Sequence, residues 1–290
     1  MLSKAEIYFV NNINEIMKNG VLDENPRPRY ESDGTVAHSQ FITQVFEKYD
    51  ITNGETPITE LRPIPLENTI NEGRWIYQDQ TSLLSVLKNK YNIHWWDSWS
   101  IGDDTTIGQR YGATVKRYDL MNKLLKSLIE DPFGRRHIIN LWQEKDFEET
   151  DGLKPCAFMI IISVTKRNGS EDKYVDLTLI QRSSDYLVAG HINKMQYVAL
   201  MMMIAKHCNY KVGNFAHFVQ NLHVYDRHLE QAKTLLERAV VLDSLEREVG
   251  QPQLILNVPD GTNFYDIATE DFEMINYNPF KPNLKFELGI

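Results

Sequence analysis

Two cysteines in 290 residues, Cys156 and Cys208, are too few for a disulfide framework. They suit a reducing compartment. The longest apolar run, residues 197–205, is far short of a membrane span. The N-terminal Met1-Leu-Ser-Lys-Ala-Glu6 lacks the apolar core of a signal peptide, so a cytoplasmic protein is expected. A basic excess is missing too. The net charge of −9 argues against a general nucleic-acid or membrane-surface binder, so an anionic ligand must be met by a local cluster of arginines. No Cys-x-x-Cys, His-x-x-x-His or clustered-carboxylate spacing suggests a metal, and none is expected. No glycine-rich loop follows a strand, which disfavours nucleoside triphosphate and dinucleotide folds. With no repeat, low-complexity tract or composition break, a single domain over 1–290 is the simplest expectation.

What is present is an ordinary globular balance, 42% apolar and 24% charged, in a chain long enough to bury a sizeable core. Ser3 and Glu6 have capping-box spacing ahead of Ile7, Val10, Ile13 and Met17, and Gly20 is a natural stop, so a helix opens the chain. Residues 21–35 form a polar loop whose Arg27 and Arg29 have, on pattern alone, the standing of surface charges. The pattern at 69–89 predicts a helix in which Glu72 is either a helix-end carboxylate or half-buried. Trp95, Trp96 and Trp99 read as core, as a dimer interface or as a platform for a flat ligand. The turn at 108–112 offers Tyr111 to a cavity, and 121–129 reads as an amphipathic helix ended by Asp131-Pro132.

Arg135 and Arg136 are adjacent, and on a strand they would face opposite sides, so both reach one ligand only from a strand start or loop. The runs 157–164 and 174–181, joined through Asn168-Gly169, predict a hairpin. Its ends bring Cys156 and Arg182 to one edge. Residues 195–207 read as a central buried helix. Residues 215–225 read as a strand that puts His223 and Tyr225 on one face. A helix at 226–241, a strand at 254–258 and a C-terminal strand at 284–290 complete the reading.

The densest chemistry lies at 181–193. Arg182 with Ser183 suits a phosphate, and the Asn193 amide suits a planar polar ring. The plainer reading pairs Arg182 with Asp185 and makes Asn193 a helix cap. Cys156 is either an inert core thiol or a nucleophile whose pKa is depressed by Arg182, with Arg135 and Arg136 adding to it. A cysteine protease with His223 as base stays open at this level, although so much arginine suits a phosphorylated substrate better than a peptide.

Asp131-Pro-Phe-Gly-Arg-Arg136, Leu153-Lys-Pro-Cys156, Gln181-Arg-Ser-Ser-Asp185 with Asn193, and His223-Val-Tyr225 stand in the order found in thymidylate synthases. The chain resembles that family from about Arg27 to its end. The resemblance implies an α+β fold with a large mixed twisted sheet covered by helices, the sheets packed back to back in a homodimer. It implies reductive methylation of deoxyuridylate (dUMP) by 5,10-methylenetetrahydrofolate, a consumed co-substrate, in thymidylate synthesis. Cys156 would attack C6 of the uracil. Arg27, Arg182 and Ser183 would hold the phosphate, with Arg135 and Arg136 donated by the second subunit. Asn193 would read the base, and His223 and Tyr225 would bind the deoxyribose. Gln181, Ser184 and Asp185 would order the site, Asp185 also meeting the pterin. Trp96, Trp99, Val188, Ala189 and Ile192 would wall the folate, with Gly289 and Ile290 in a closing tail. Glu72 and Tyr111 would organise water and proton removal.

The chain departs from the commoner family pattern at Val188-Ala-Gly-His-Ile-Asn193, at Pro65 and Ala157 (each where histidine is common) and at Gln220-Asn221. A deoxyuridylate hydroxymethylase of the same fold and a catalytically inactive nucleotide- or RNA-binding homologue are the alternatives. Asn193 favours uracil over cytosine, whose exocyclic amine needs an acceptor.

Overall fold

A computed structural model describes residues 1–167, 169–245 and 250–290. The helices are α1 (Lys4–Asn19), α2 (Leu66–Tyr77), α3 (Leu84–Tyr91), α4 (Gly112–Tyr118), α5 (Leu120–Glu130), α6 (Glu144–Glu149), α7 (Gly190–Cys208) and α8 (Leu229–Ser244). The strands are β1 (Val21–Leu22), β2 (Ser39–Asp50), β3 (His137–Asn140), β4 (Ala157–Lys166), β5 (Lys173–Gln181), β6 (Ser184–Asp185), β7 (Lys211–Tyr225), β8 (Gln253–Leu256) and β9 (Phe272–Ile275).

Among the described residues β1 to β7 form one mixed sheet in the order β1-β2-β7-β5-β4-β3, with β6 beside β7. Neighbours are antiparallel except that β5 and β6 run parallel to β7. The connection from β5 to β7 therefore has to cross over, and α7 is that crossover helix. It is apolar on every side, as 195–207 predicts, and buries Met195, Val198, Leu200, Met201 and Ile204. It begins five residues before that span, at Gly190. Alternation along the strands turns Tyr49, Leu177, Leu179, Ile160, Ile162 and Phe215 into the core.

Ser3 and Glu6 make the expected capping box, and α1 ends at Gly20. The β4–β5 hairpin forms as read, though Asn168 of its turn lies outside the described residues. Two expectations need correction. The helix at 69–89 is broken: α2 stops at Tyr77 and α3 starts at Leu84. Gln80 between them adopts φ +53°, and Ile107 N–H and the Thr106 hydroxyl both bond to Ser82 O, tying the gap to a neighbouring loop. The tail at 284–290 is not a strand. It makes one bridge, Gly289 to Tyr30, with Arg29 and Ile290 exchanging backbone hydrogen bonds.

Candidate active site

The hairpin does what the sequence pattern requires of it. Cys156 precedes β4, Arg182 follows β5, and the Arg182 N–H donates to Cys156 O at 2.9 Å. The Arg182 side chain donates Nε to Pro155 O at 2.9 Å and a terminal nitrogen to Lys154 O at 2.8 Å. It thus clamps the segment that carries the thiol and does not pair with Asp185. Tyr111 holds the same segment from the other side, its hydroxyl accepting from Cys156 N–H at 3.1 Å. Tyr111 has φ +47°, a left-handed value costly for a bulky residue, and Gly112 beside it lies so close to Thr81 that a Cβ would meet Thr81 O at 2.3 Å.

A cavity of about 620 Å³ opens over this edge. Cys156, Gln181, Arg182, Ser183, Ser184 and Asp185 line one side, and Val188, Ala189, Ile192 and Asn193 continue it into the first turn of α7. His223 and Tyr225 come from the end of β7, and Glu72, Trp96, Trp99, Tyr111, Arg27 and Gly289 complete the lining. Arg27 is therefore a cavity residue, whereas Arg29 turns back to cap carbonyls of its own loop. A Cβ on Gly289 would lie 2.7 Å from the Tyr225 ring, so only glycine lets the tail approach so closely. Ile290 does not line the cavity. Arg135 and Arg136 are exposed on the loop before β3 and also lie outside it.

The cavity walls shift the acids. Burial raises Glu72 to about 7, although the Trp96 and Trp95 indole N–H groups donate to its carboxyl at 2.8 and 3.1 Å. Burial likewise raises Asp185 to about 7, against the Val188 N–H and the charge of Arg62. His223 is lowered to about 4 by burial and is neutral near pH 7, its Nδ1 bonded to Asn221 Oδ1 at 3.0 Å. Burial pushes the Cys156 thiol up, outweighing Arg182 and Arg27. The depressed thiol expected from nearby cations is thus not found in this chain, because the groove that gathers them also removes water.

A raised acid pKa has a sign. Glu72 favours folding while protonated, and that contribution is lost as pH rises from the usual 4.5 through about 7. Glu72→Gln is expected to flatten that part of the decline, read as urea-unfolding stability at pH values on either side of the window. An unchanged slope would show that Glu72 does not titrate there.

Asn193 is not a cap: Ala189 holds that position, and the Asn193 Oδ1 accepts from Gln181 Nε2 at 3.1 Å. Sequence reasoning offered Trp95 as part of a flat-ligand platform but missed the lining residues Asp23, Leu153 and Asn221 and the buried Arg62 near Asp185. Leu153 and Asn221 carried a signal, in the Leu153-Lys-Pro-Cys156 motif and the Gln220-Asn221 departure; Asp23 and Arg62 carried none.

Comparison with known proteins shows the family. The family model described as thymidylate synthase matches residues 7–290. The chain belongs to the thymidylate synthase family. It is 54% identical over 289 residues to the thymidylate synthase of Streptococcus pneumoniae (strain 70585), and 55% identical to that of Streptococcus gordonii (strain Challis), covering 100% of each chain in both cases. Among solved structures, the thermostable thymidylate synthase A from Bacillus subtilis superposes with a TM-score of 0.84 at 29% identity, covering 99% of both chains. The expected α+β fold with its large mixed sheet is therefore the fold observed. The activity that goes with membership is that of a thymidylate synthase, a methyltransferase, and neither alternative is favoured. No group of three or more His, Cys, Asp or Glu among the described residues could hold a metal ion, and no helix there is long and apolar enough to cross a membrane.

Proposed function

We propose that the protein methylates dUMP at C5, consuming 5,10-methylenetetrahydrofolate and releasing thymidylate and dihydrofolate. The observation that carries this reading is the convergence of Cys156, Arg182 and Asn193 on one cavity. Arg27, Arg182 and Ser183, all lining it, suit the phosphate, with a hydroxyl and the guanidinium N–H groups that Arg182 does not spend on Lys154 O and Pro155 O matching its oxygens. His223 and Tyr225 flank the place a deoxyribose would take, and Asn193 meets the pyrimidine edge.

The Cys156 thiolate forms a bond to C6; the C5=C6 π pair moves to C5, with charge spread to O4, where the Asn193 amide donates. The folate supplies the one-carbon unit and the hydride. Trp95, Trp96, Trp99, Val188, Ala189 and Ile192 give a flat apolar wall that fits such a ring system, with the Asp185 carboxyl, its pKa raised by burial, as the polar anchor. Removal of the C5 proton falls to Tyr111 and to water held by Glu72. The C5=C6 bond is restored as sulfur leaves. Leu288 and Gly289, the tail residues that line the cavity, exclude water.

A homodimer completes this reading, with one domain per chain. The sheet face away from α7 carries Phe46, Phe218, Ile180, Met159, Ile161 and Ile138, register neighbours that are half-buried or exposed in the single chain. A second copy laid back to back would cover that apolar face and bring its Arg135 and Arg136 toward the phosphate site.

Base choice tests the reading of the site. Asn193→Asp is expected to shift kcat/KM toward deoxycytidylate, because a carboxylate accepts from the cytosine amine where the amide donates to O4. An unchanged preference would place base selection elsewhere.

A further inference from the structure

The amide of Asn193 discriminates between bases only if it cannot turn over, and the structure contains a chain of contacts that fixes it. The chain starts at a carbonyl, which can only accept. Ser183 O faces the Gln181 amide at 2.9 Å, so the Gln181 atom there must be its NH2 group. That same nitrogen reaches Asn193 Oδ1 at 3.1 Å, so the Asn193 oxygen faces Gln181. Its Nδ2, with no hydrogen bond to any described residue, is left for the cavity. Gln181 Oε1 is thereby turned to the opposite side, where His217 Nε2 lies at 2.9 Å. An amide oxygen accepts, so His217 must carry its proton on Nε2.

His217 is 2% exposed and does not line the cavity. It sits on β7 opposite Glu47 of β2 and stacks on Phe215. Burial lowers it to about 3, with Lys194 acting the same way and Glu47 opposing, so the ring is neutral and has one N–H to place. Without that donor, Gln181 loses one of the two contacts that set its sense, and Ser183 O alone opposes a flip. The Gln181 oxygen could then face Asn193, which would answer by turning its NH2 inward and showing an acceptor to the ligand.

We propose that His217 is a specificity-determining positioning residue: its Nε2–H, acting with Ser183 O, holds the Gln181 amide and, through it, the donor face that Asn193 shows to the pyrimidine. The proposal rests on the reading of Asn193 as the base-recognising amide. It adds a residue that touches no substrate and that sequence pattern shows only as a strand position six before His223.

The test compares His217→Phe, which keeps the ring and its stacking but has no N–H, with His217→Gln, whose amide nitrogen reaches about as far as Nε2. Binding of dUMP and of deoxycytidylate is measured by calorimetry, and KM and kcat for dUMP by turnover. His217→Phe is expected to narrow the dUMP preference by about tenfold, the order of one orienting hydrogen bond, through nucleotide affinity and KM. The folate KM should stay within about twofold, and His217→Gln should restore most of the preference. Equal weakening for both nucleotides, or an unchanged ratio in a folded His217→Phe, would overturn the proposal. Should His217→Phe not fold, the imidazole ¹⁵N spectrum of the native protein decides, with the resonance assigned by its absence from His217→Gln. An Nε2–H ring supports the proposal and an Nδ1–H ring defeats it. Failure of the native protein to prefer dUMP would instead defeat the reading of Asn193, and this inference with it.

Discussion

Cys156→Ser is expected to reduce turnover roughly a thousandfold or more, the scale seen when a covalent nucleophile is removed, while dUMP binding changes little. On the proposed reading the labour is divided: affinity would come from the cavity residues Arg27, Arg182, Ser183, Asn193, His223 and Tyr225, none of which needs the sulfur. The Arg182 clamp on Lys154 O and Pro155 O and the Tyr111 bond to the Cys156 N–H are backbone contacts, so serine inherits the same position. What it does not inherit is a stable anion, since a hydroxyl ionises far less readily than a thiol. Burial already raises the thiol, with Arg182 and Arg27 opposing. Activity should therefore rise with pH on the alkaline side until the thiolate is populated, and added charge from a bound phosphate or a partner's arginines would move that limb. Single-turnover kinetics with calorimetric dUMP binding checks both halves. Near-normal turnover in the serine variant would remove Cys156 from the chemistry.

The second large effect concerns stability. Lys194→Met is expected to cost about 3–5 kcal/mol, the penalty for leaving a buried charge without its partner. Lys194 and Glu47 are 0% and 2% exposed and lie 2.6 Å apart, and the hydroxyls of Tyr49 and Tyr186 and the amide of Asn12 also donate to Glu47. Burial pushes Glu47 up, but Lys194, His217 and the Tyr49 hydroxyl bring it down to about 2. In the native protein the pair's contribution is therefore present above the usual carboxylate value of 4.5 and lost as pH falls toward 2. With Lys194 gone, Glu47 becomes hard to ionise, so the defect should be largest near pH 7 and shrink below about pH 5. Glu47→Gln combined with Lys194→Met should recover much of the loss, since no charge is then left buried. Urea unfolding at the two pH values checks this. A loss under about 1 kcal/mol at neutral pH would mean that water reaches the pair. Because Lys194 follows Asn193 on α7, a rise in the dUMP KM should accompany the loss.

Local chemistry and period-two patterning read well where they coincide. The hairpin that joins Cys156 to Arg182, the shared face of His223 and Tyr225, the capping box of α1 and the buried α7 all announce themselves within a few residues. Strand β2 does not. Gln40, Thr43, Gln44, Glu47 and Lys48 give it a polar look, Gln44 at φ +61° interrupts its alternation, and the buried Glu47 is indistinguishable in sequence from a surface charge. The break between α2 and α3 has neither glycine nor proline to mark it, because it is imposed from outside by the Thr106 and Ile107 contacts with Ser82. The raised pKa of Cys156 was illegible for a related reason: sequence lists the cations that come near a thiol but not the water they displace. His217 and Arg62 act through other side chains, and no spacing rule connects them to the cavity.

One measurement bears most directly on the central claim: the native protein mixed with dUMP and 5,10-methylenetetrahydrofolate, with both nucleotide and folate products quantified. Thymidylate and dihydrofolate formed in equal amounts is the result predicted here. A hydroxymethylated nucleotide without folate oxidation, or dUMP bound without any turnover, would contradict it.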